Sequence, residues 1–263
     1  MKTNDKVIDS CFVQPKEAFE TIKRDWKSWV KTSKIKKYVV GISGGVDSSC
    51  AAALAVKIFG KENVVGVLLP KDEQKDISYS RKLVEHLGIK SVEINIGDAC
   101  HSIVKGIDAN ALPLTEQCTI NLPARIRMAT LFAVGQSIGA GVLNTSNRSE
   151  SVCGYDTIFG DDCGCYSPFK NLVKTEIIAL AEWLGLPKDL AHKAPSDGLQ
   201  PLTDEERFGF TYAELDTVIR GIDTSSKLYK KVEKMYLKNK FKLDIVELPG
   251  PVFGTYADAF RDC

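Results

Sequence analysis

The 263-residue chain predicts an α/β fold with an open, mostly parallel sheet and helices on both faces, and three observations carry that prediction. Apolar runs of strand length alternate with helix-length segments through the first half of the chain, the pattern of βαβ units. A glycine-rich turn, Ser43-Gly44-Gly45, stands between the first apolar run and an Ala-rich helix. A second polar turn, Asn144 to Glu150, follows a later apolar run.

The elements follow in order. Lys16 to Trp29 is expected as an opening helix, Lys37 to Ile42 as a buried strand, and Val46 to Phe59 as a helix. Val64 to Leu69 is a second strand, Ile77 to Leu87 a helix ended by Gly88, and Ser91 to Ile96 a third strand. Thr119 to Ile138 is a long helix with Pro123 near its start, where a missing N–H costs least. Gly141 to Thr145 is another strand. Gly160 to Pro168 reads as a loop rich in Asp, Gly and Cys, and Val173 to Leu184 as a helix ended by Gly185. Ala194 to Gly209 is a long polar stretch. Helices around Ala213 to Arg220 and Lys227 to Lys240 precede a tail that starts at Pro249-Gly250-Pro251. A single domain is expected over 1–263, with an N-terminal helical segment at 1–36 and a C-terminal helical segment and tail at 210–263.

Composition narrows the class. At 44% hydrophobic content the chain can bury a large core, and a formal charge of +1 predicts no strong attraction to nucleic acid or to an anionic membrane. No run of eighteen apolar residues occurs, which excludes a membrane helix on hydrophobic length, and the first ten residues lack the apolar centre of a secretory signal. Eight scattered cysteines then read as reduced thiols in a cytoplasm. His86, His101 and His192 are too separated to suggest a histidine metal site.

The turn after the first strand builds an anion site. Backbone N–H groups at a helix start, with the Ser43 and Ser48 hydroxyls, can surround a pyrophosphate. Asp47 repels phosphate unless a cation such as Mg²⁺ lies between them. A Walker loop would place Lys directly after the last Gly, whereas Val46 and Asp47 follow Gly45 here. Ligands of open α/β sheets collect at the carboxyl ends of strands, so Gly41–Ser48 and Asn144–Glu150 are expected to meet at one crevice. Arg125 and Arg127, near a helix start, suit bidentate contact with phosphate or carboxylate and suit equally an ordinary charged surface. Phe159-Gly160-Asp161-Asp162 fits a tight Asx-type turn as well as a site.

Ser-Gly-Gly-x-Asp-Ser resembles the pyrophosphate loop of the N-type ATP pyrophosphatases. Further segments narrow the likeness: Ala124 to Met128, Asn144 to Glu150, Gly154-Tyr155, Gly160-Asp161, Leu172 to Glu176, Lys193 to Leu199, and Asp204 to Tyr212. Together they resemble ammonia-dependent NAD synthetase from about Val39 to Pro249. The resemblance implies an adenine-nucleotide alpha-hydrolase-like, Rossmann-like fold and the reaction of deamido-NAD, ATP and ammonia to NAD, AMP and pyrophosphate through a deamido-NAD adenylate. It implies ATP contacts from Gly41, Ile42, Ser43, Gly44, Gly45, Val46, Asp47, Ser48, Thr145, Lys174 and Ser196, with Asp47 and Glu150 as Mg²⁺ ligands. Arg125, Arg127, Asp162, Phe241 and Lys242 would contact deamido-NAD, and Asp161 and Lys174 would take the catalytic roles. Ile158, Cys165 and Phe241 stand where many relatives carry Lys, Asp and His.

The same resemblance implies a homodimer with deamido-NAD bound across the interface. The chain leaves no room for a glutamine amidohydrolase domain, so free ammonia, or ammonia from a separate protein, is the expected nitrogen source. Asp72 to Tyr79 and Ala194 to Phe210 flank the crevice and are expected to order only with substrates. Two other classes compete. One is a different adenylating enzyme, GMP-synthetase-like or tRNA-thiolating, although Cys163-Gly164-Cys165 lacks the paired spacing of a zinc or iron–sulfur site. The other is a nucleotide-binding regulator without catalysis, which would not require Asp47, Glu150, Asp161 and Lys174 together.

Overall fold

The structure is a computed structural model, and it describes residues 11–74, 76–193 and 203–245. Its centre is a four-stranded parallel sheet of β1 (Tyr38–Gly41), β2 (Val64–Leu68), β3 (Lys90–Glu93) and β4 (Gly141–Val142), in the order β3-β2-β1-β4. In register, Tyr38 faces Val64 on one side and Gly141 on the other. The chain winds outward from β1 to β3 and returns to β1's other edge at β4. The topological switch therefore lies between β1 and β4, where an open α/β sheet forms its ligand crevice.

Residues of β1 alternate between faces, as the two-residue period of a strand requires. Tyr38 and Val40, continued by Ile42, enter a core with α1 (Pro15–Ser33) and α2 (Val46–Phe59). Trp26 of α1 is fully buried there, stacked on Tyr166 and edge-on to Tyr38 and Phe59. Val39 points the other way and joins Val67, Ile96 and Val142. That second face is covered by α4 (Gly97–Ala109) and α5 (Glu116–Ile138), with Leu131 of α5 lying 3.2 Å from where a Gly41 side chain would begin. α3 (Ile77–Leu87) follows β2, and α6 (Arg148–Cys153) follows β4.

The C-terminal half adds α7 (Lys174–Trp183), packed on α2, then α8 (Lys188–Ala191), α9 (Asp204–Phe208), α10 (Tyr212–Ile219) and α11 (Lys227–Ile245). A separate apolar cluster of Val152, Phe208, Tyr212, Leu215, Val232 and Tyr236 ties α10 and α11 to α6. Tyr212 and Phe208 thus anchor the helices behind the crevice, a second core that an α/β pattern alone does not announce.

Several expectations need correcting. The long helix begins at Glu116, capped by the Thr115 hydroxyl, so Pro123 lies two turns inside it rather than at its start. The third strand is shorter than Ser91–Ile96 and exposed throughout, as suits an edge. The fourth shrinks to two residues, with Leu143 making only an isolated bridge to Tyr166. The helices α4, α6, α8 and α9 lie where no helix was expected; α6, α8 and α9 are six residues or fewer, too short for a periodic signal. In the Asp72–Tyr79 segment, Asp72 and Asn95 exchange hydrogen bonds and Asp76 pairs with Lys193. The companion stretch at 194–202 lies outside the described residues.

Candidate active site

The glycine-rich turn runs from the last residue of β1 into the first turn of α2. Ile42 N–H donates to the Val67 carbonyl at 2.8 Å, fastening the turn to the sheet. The Ser43 and Ser48 hydroxyls lie 3.0 Å apart, Gly45 N–H donates to Ser43 Oγ, and Ser48 Oγ donates to the Gly45 carbonyl. These bonds, with one from Ser43 N–H to Ser48 Oγ, close the loop on itself. Gly44 has φ +78°, and a Cβ there would meet Tyr79 Cβ at 2.8 Å, so only glycine suits the position. Ile42 and Val46 are buried in the core, which leaves only their backbone for a ligand.

Asp47, in the first turn of α2, faces the turn after β4. Its Oδ1 accepts from Asn147 Nδ2 at 3.1 Å, and its Oδ2 accepts from Lys174 Nζ at 2.5 Å. Lys174 also donates to Glu150 Oε1 at 2.8 Å, and its ammonium lies 4.9 Å from the centre of the Tyr212 ring. The two segments expected to share a crevice therefore do, joined by a lysine that is 1% exposed. Asn147 and Glu150 form a capping box at the start of α6, which aims the Glu150 carboxylate at the crevice. Thr145 sits half-buried in the same turn.

With both carboxylates ionised, as a bound cation would require, two carboxylates and one ammonium leave this cluster one negative charge in excess. Burial, reinforced by Asp47, pushes the Glu150 carboxyl up to about 8 despite the attraction of Lys174. Burial works against the Lys174 ammonium, but attraction to Asp47 and Glu150 outweighs it and holds the proton more tightly than usual. Hard oxygen donors with surplus negative charge fit Mg²⁺, which takes one or two carboxylates and completes its shell with water and phosphate. Among the described residues no group of three or more His, Cys, Asp and Glu side chains is arranged to hold a metal ion.

A second group of acids lies along the loop after α6. Asp161 Oδ1 accepts from Thr157 N–H, and Asp162 accepts from Asn144 Nδ2 at 2.9 Å. Asn144 in turn accepts from Ser146 N–H, so β4's end holds the acidic loop. Gly164 makes this possible, since a side chain there would begin 2.5 Å from the Asn144 nitrogen. Asp161 faces solvent yet is crowded by protein on its other sides, and this desolvation raises its carboxyl above the usual range. Burial raises Asp162 in the same direction. Arg125, exposed on α5, donates to the Ile158 carbonyl of this loop at 3.3 Å. Arg127 turns instead to the Leu69 carbonyl at the end of β2, so the two arginines serve different parts of the crevice.

Lys242 was expected to reach a ligand. In the structure its ammonium donates to the Gly154 and Asp156 carbonyls, each at 2.7 Å, and to Asp156 Oδ1 at 3.1 Å. These three bonds tie α11 to the start of the acidic loop and occupy all three ammonium donors. Phe241 beside it is 55% exposed. Ser196 lies outside the described residues. Sequence reasoning missed Asp156, whose carboxyl burial raises to about 6, and missed Asn147 as the link to Asp47. The Asn147-x-x-Glu150 spacing was the available signal for the second. No sequence signal distinguishes Asp156 from its acidic neighbours.

A doubly wound parallel sheet with a closed glycine loop at its switch point, a shared carboxylate pair and a buried lysine defines an α/β protein that holds nucleotide phosphates. The family model described as NAD synthase matches residues 18–246. The NH₃-dependent NAD⁺ synthetase of Pyrococcus furiosus is 34% identical over 239 residues, 85% of this chain and 92% of that protein. Among solved structures, an NMN synthetase from Francisella tularensis is similar with TM-score 0.81 and 31% identity over 90% of this chain and 99% of the other. An NH₃-dependent NAD synthetase from Campylobacter jejuni follows with TM-score 0.74 and 26% identity, covering 90% and 99%. The chain belongs to the NAD synthase family.

Proposed function

We propose that the protein amidates deamido-NAD with ammonia and ATP, yielding NAD, AMP and pyrophosphate through a deamido-NAD adenylate, as a ligase forming a C–N bond. The observation that carries the mechanism is the Lys174–Asp47–Glu150 cluster beside the closed Ser43–Ser48 loop. A nicotinate carboxylate resists ammonia because it is anionic and would have to expel oxide. Joined to AMP, it becomes a mixed anhydride with a good leaving group. The departing pyrophosphate gathers charge, and catalysis consists mainly of positioning and neutralising that charge.

In this reading the Gly41–Ser48 backbone and the Ser43 and Ser48 hydroxyls hold the departing phosphates, and Thr145 and Ser196 contact ATP. Asp47 and Glu150 would hold Mg²⁺, which supplies charge neutralisation at the phosphates when bound. Lys174 brings a further fixed positive charge to the same oxygens. Arg125 at the acidic loop, with Asp162 and Phe241, forms the nicotinate side, Arg127 meets the dinucleotide from the end of β2, and Lys242 supports the loop by holding it. Asp161 is read as the carboxylate that orients ammonium and accepts a proton from it, a role that its raised proton affinity suits.

The whole chain, including its N-terminal helix and C-terminal helices, is read as one synthetase unit that works as a homodimer. The supporting observation is an apolar outer face on and around α4 and α5, where Ile103, Leu112, Leu114 and Ile138 are exposed. Light scattering is expected to give twice the 28.9 kDa chain mass; a monomer across the working concentration range would refute the dimer. The protein is read as cytoplasmic, with its cysteines held as reduced thiols.

The likeness to an NMN synthetase supports one competing substrate, nicotinate mononucleotide, which carries the same pyridine carboxyl without the second nucleotide. One assay separates the readings. AMP and pyrophosphate should form only when deamido-NAD and ammonium are both present, with a kcat/KM for deamido-NAD well above that for the mononucleotide. The reverse preference reassigns the substrate. ADP and orthophosphate as products would end the adenylation reading, and no turnover with either would leave a binding protein.

A further inference from the structure

Beyond the crevice, one fully buried carboxylate reaches the site through two helix ends. Asp216 lies on α10 and makes no hydrogen bond to the ion cluster itself. Its Oδ1 accepts from the Ser149 hydroxyl at 2.6 Å, and its Oδ2 accepts from the Thr175 N–H at 2.8 Å. Ser149 Oγ in turn accepts from the Lys174 N–H at 2.9 Å. Ser149 immediately precedes Glu150 in α6, and Thr175 immediately follows Lys174 in α7.

This arrangement solves a local defect. The residue before α7 is Val173, whose side chain has no acceptor for the unpaired N–H groups of the first turn. Glu176 of the first turn takes the Val173 N–H, and Asp216 supplies from another helix an anionic acceptor for the Thr175 N–H, so that the same carboxylate fastens α6 to α7. The two helices joined in this way carry Glu150 and Lys174, the 2.8 Å pair of the ion cluster.

We propose that Asp216 is a positioning residue for the amidation: by joining Ser149 to the first turn of α7 it sets the separation of Glu150 and Lys174, and so their fit to the phosphates. The proposal rests on the reading of that cluster as the phosphate end of the site. Two donors and no acceptor face the Asp216 carboxylate in its bonds to Ser149 and Thr175. Asparagine has the same shape but turns an N–H against one of those donors, which removes one contact while preserving volume.

The test compares full-length Asp216→Asn, Ser149→Ala and the double variant with wild type, by steady-state kinetics for both nucleotides and by thermal unfolding. Lys174→Met is the control. Asp216→Asn is expected to unfold cooperatively, to keep KM for deamido-NAD within about twofold, and to lose about tenfold in kcat with a higher KM for MgATP, the scale of one lost hydrogen bond to a charged group. Because Asp216 acts through Ser149, the double variant should be no slower than the slower single one. Wild-type kcat in Asp216→Asn, additive losses in the double variant, or an activity loss equal to the unfolded fraction would each overturn the positioning role. If Asp216→Asn does not fold, Ser149→Ala carries the same kinetic test, since it breaks the same link. Full turnover by Lys174→Met would instead remove the reading of the ion cluster, and this proposal with it; an inactive Lys174→Met beside a fully active Asp216→Asn would remove the positioning role alone.

Discussion

Asp47→Asn is expected to lower kcat by about a thousandfold or more, roughly 4 kcal/mol of lost transition-state stabilisation, while leaving the fold intact. The reasons lie in the cluster's charge. Asp47 and Glu150 share Lys174, and the carboxylate pair, with both members ionised, exceeds the ammonium by one charge. Asparagine keeps the size of the side chain and still faces Asn147 and Lys174. It turns the cluster neutral, and Lys174 remains paired with Glu150. One of the two donors facing Asp47 loses its acceptor, so stability should fall by about 1–3 kcal/mol without loss of the fold, whereas the ability to keep a divalent cation against departing phosphates is lost. Activity and melting temperature measured on the same preparation separate this from unfolding. Turnover near wild type would end the assignment of Asp47 to the phosphate end, and a collapsed melting temperature would show the carboxylate to be structural.

Gly44→Ala is expected to weaken ATP binding about a hundredfold. Left-handed backbone costs a residue with a Cβ about 1–2 kcal/mol, and the new methyl group meets Tyr79 Cβ at 2.8 Å and the Ser80 nitrogen at 3.1 Å. Those atoms belong to α3 and cannot yield as the tip of a flexible side chain would. The loop must then move, and its amides lose their aim at the phosphates. Calorimetric titration with ATP and Mg²⁺ reads the loss directly. Gly45→Ala is the comparison, because its φ of −79° suits any residue and the nearest atom to a new Cβ is Ser43 Oγ at 3.4 Å. Equal affinities for the two variants would show that backbone conformation at Gly44 is not what shapes the site.

The fold was legible where the chain carries strong periodic or punctuating signals. Val39 to Ile42 followed by two glycines and an Ala-rich helix can hardly be read otherwise, and Gly88 and Gly139 stop their helices in the left-handed conformation that marks such ends. The ends of α5 and β4 were misjudged for opposite reasons. Thr115 caps α5 from a stretch with little apolar pattern, and beyond Val142 the chain passes from β1 to the loop after α6, with Leu143 N–H still donating to the Val39 carbonyl and Asn144 N–H to that of Tyr166. Among site residues, Asp47, Glu150 and Lys174 were expected at one crevice and lie there together, beside the Ser43–Ser48 loop. Lys242 meets the Gly154 and Asp156 carbonyls, a contact that depends on where α11 lies and that no local pattern announces.

Order along the chain, the phosphate loop and the chemical type of the site were thus determined by sequence alone, since each depends on neighbours within a few residues. Tertiary structure decided the rest. It brought Lys174 within hydrogen-bond reach of Asp47, 127 residues away in sequence, and set Asp216 behind two helix ends. The physical reason is that a buried charge is tolerable only beside its partners, and those partners are chosen by packing across the sheet and not by proximity in the chain.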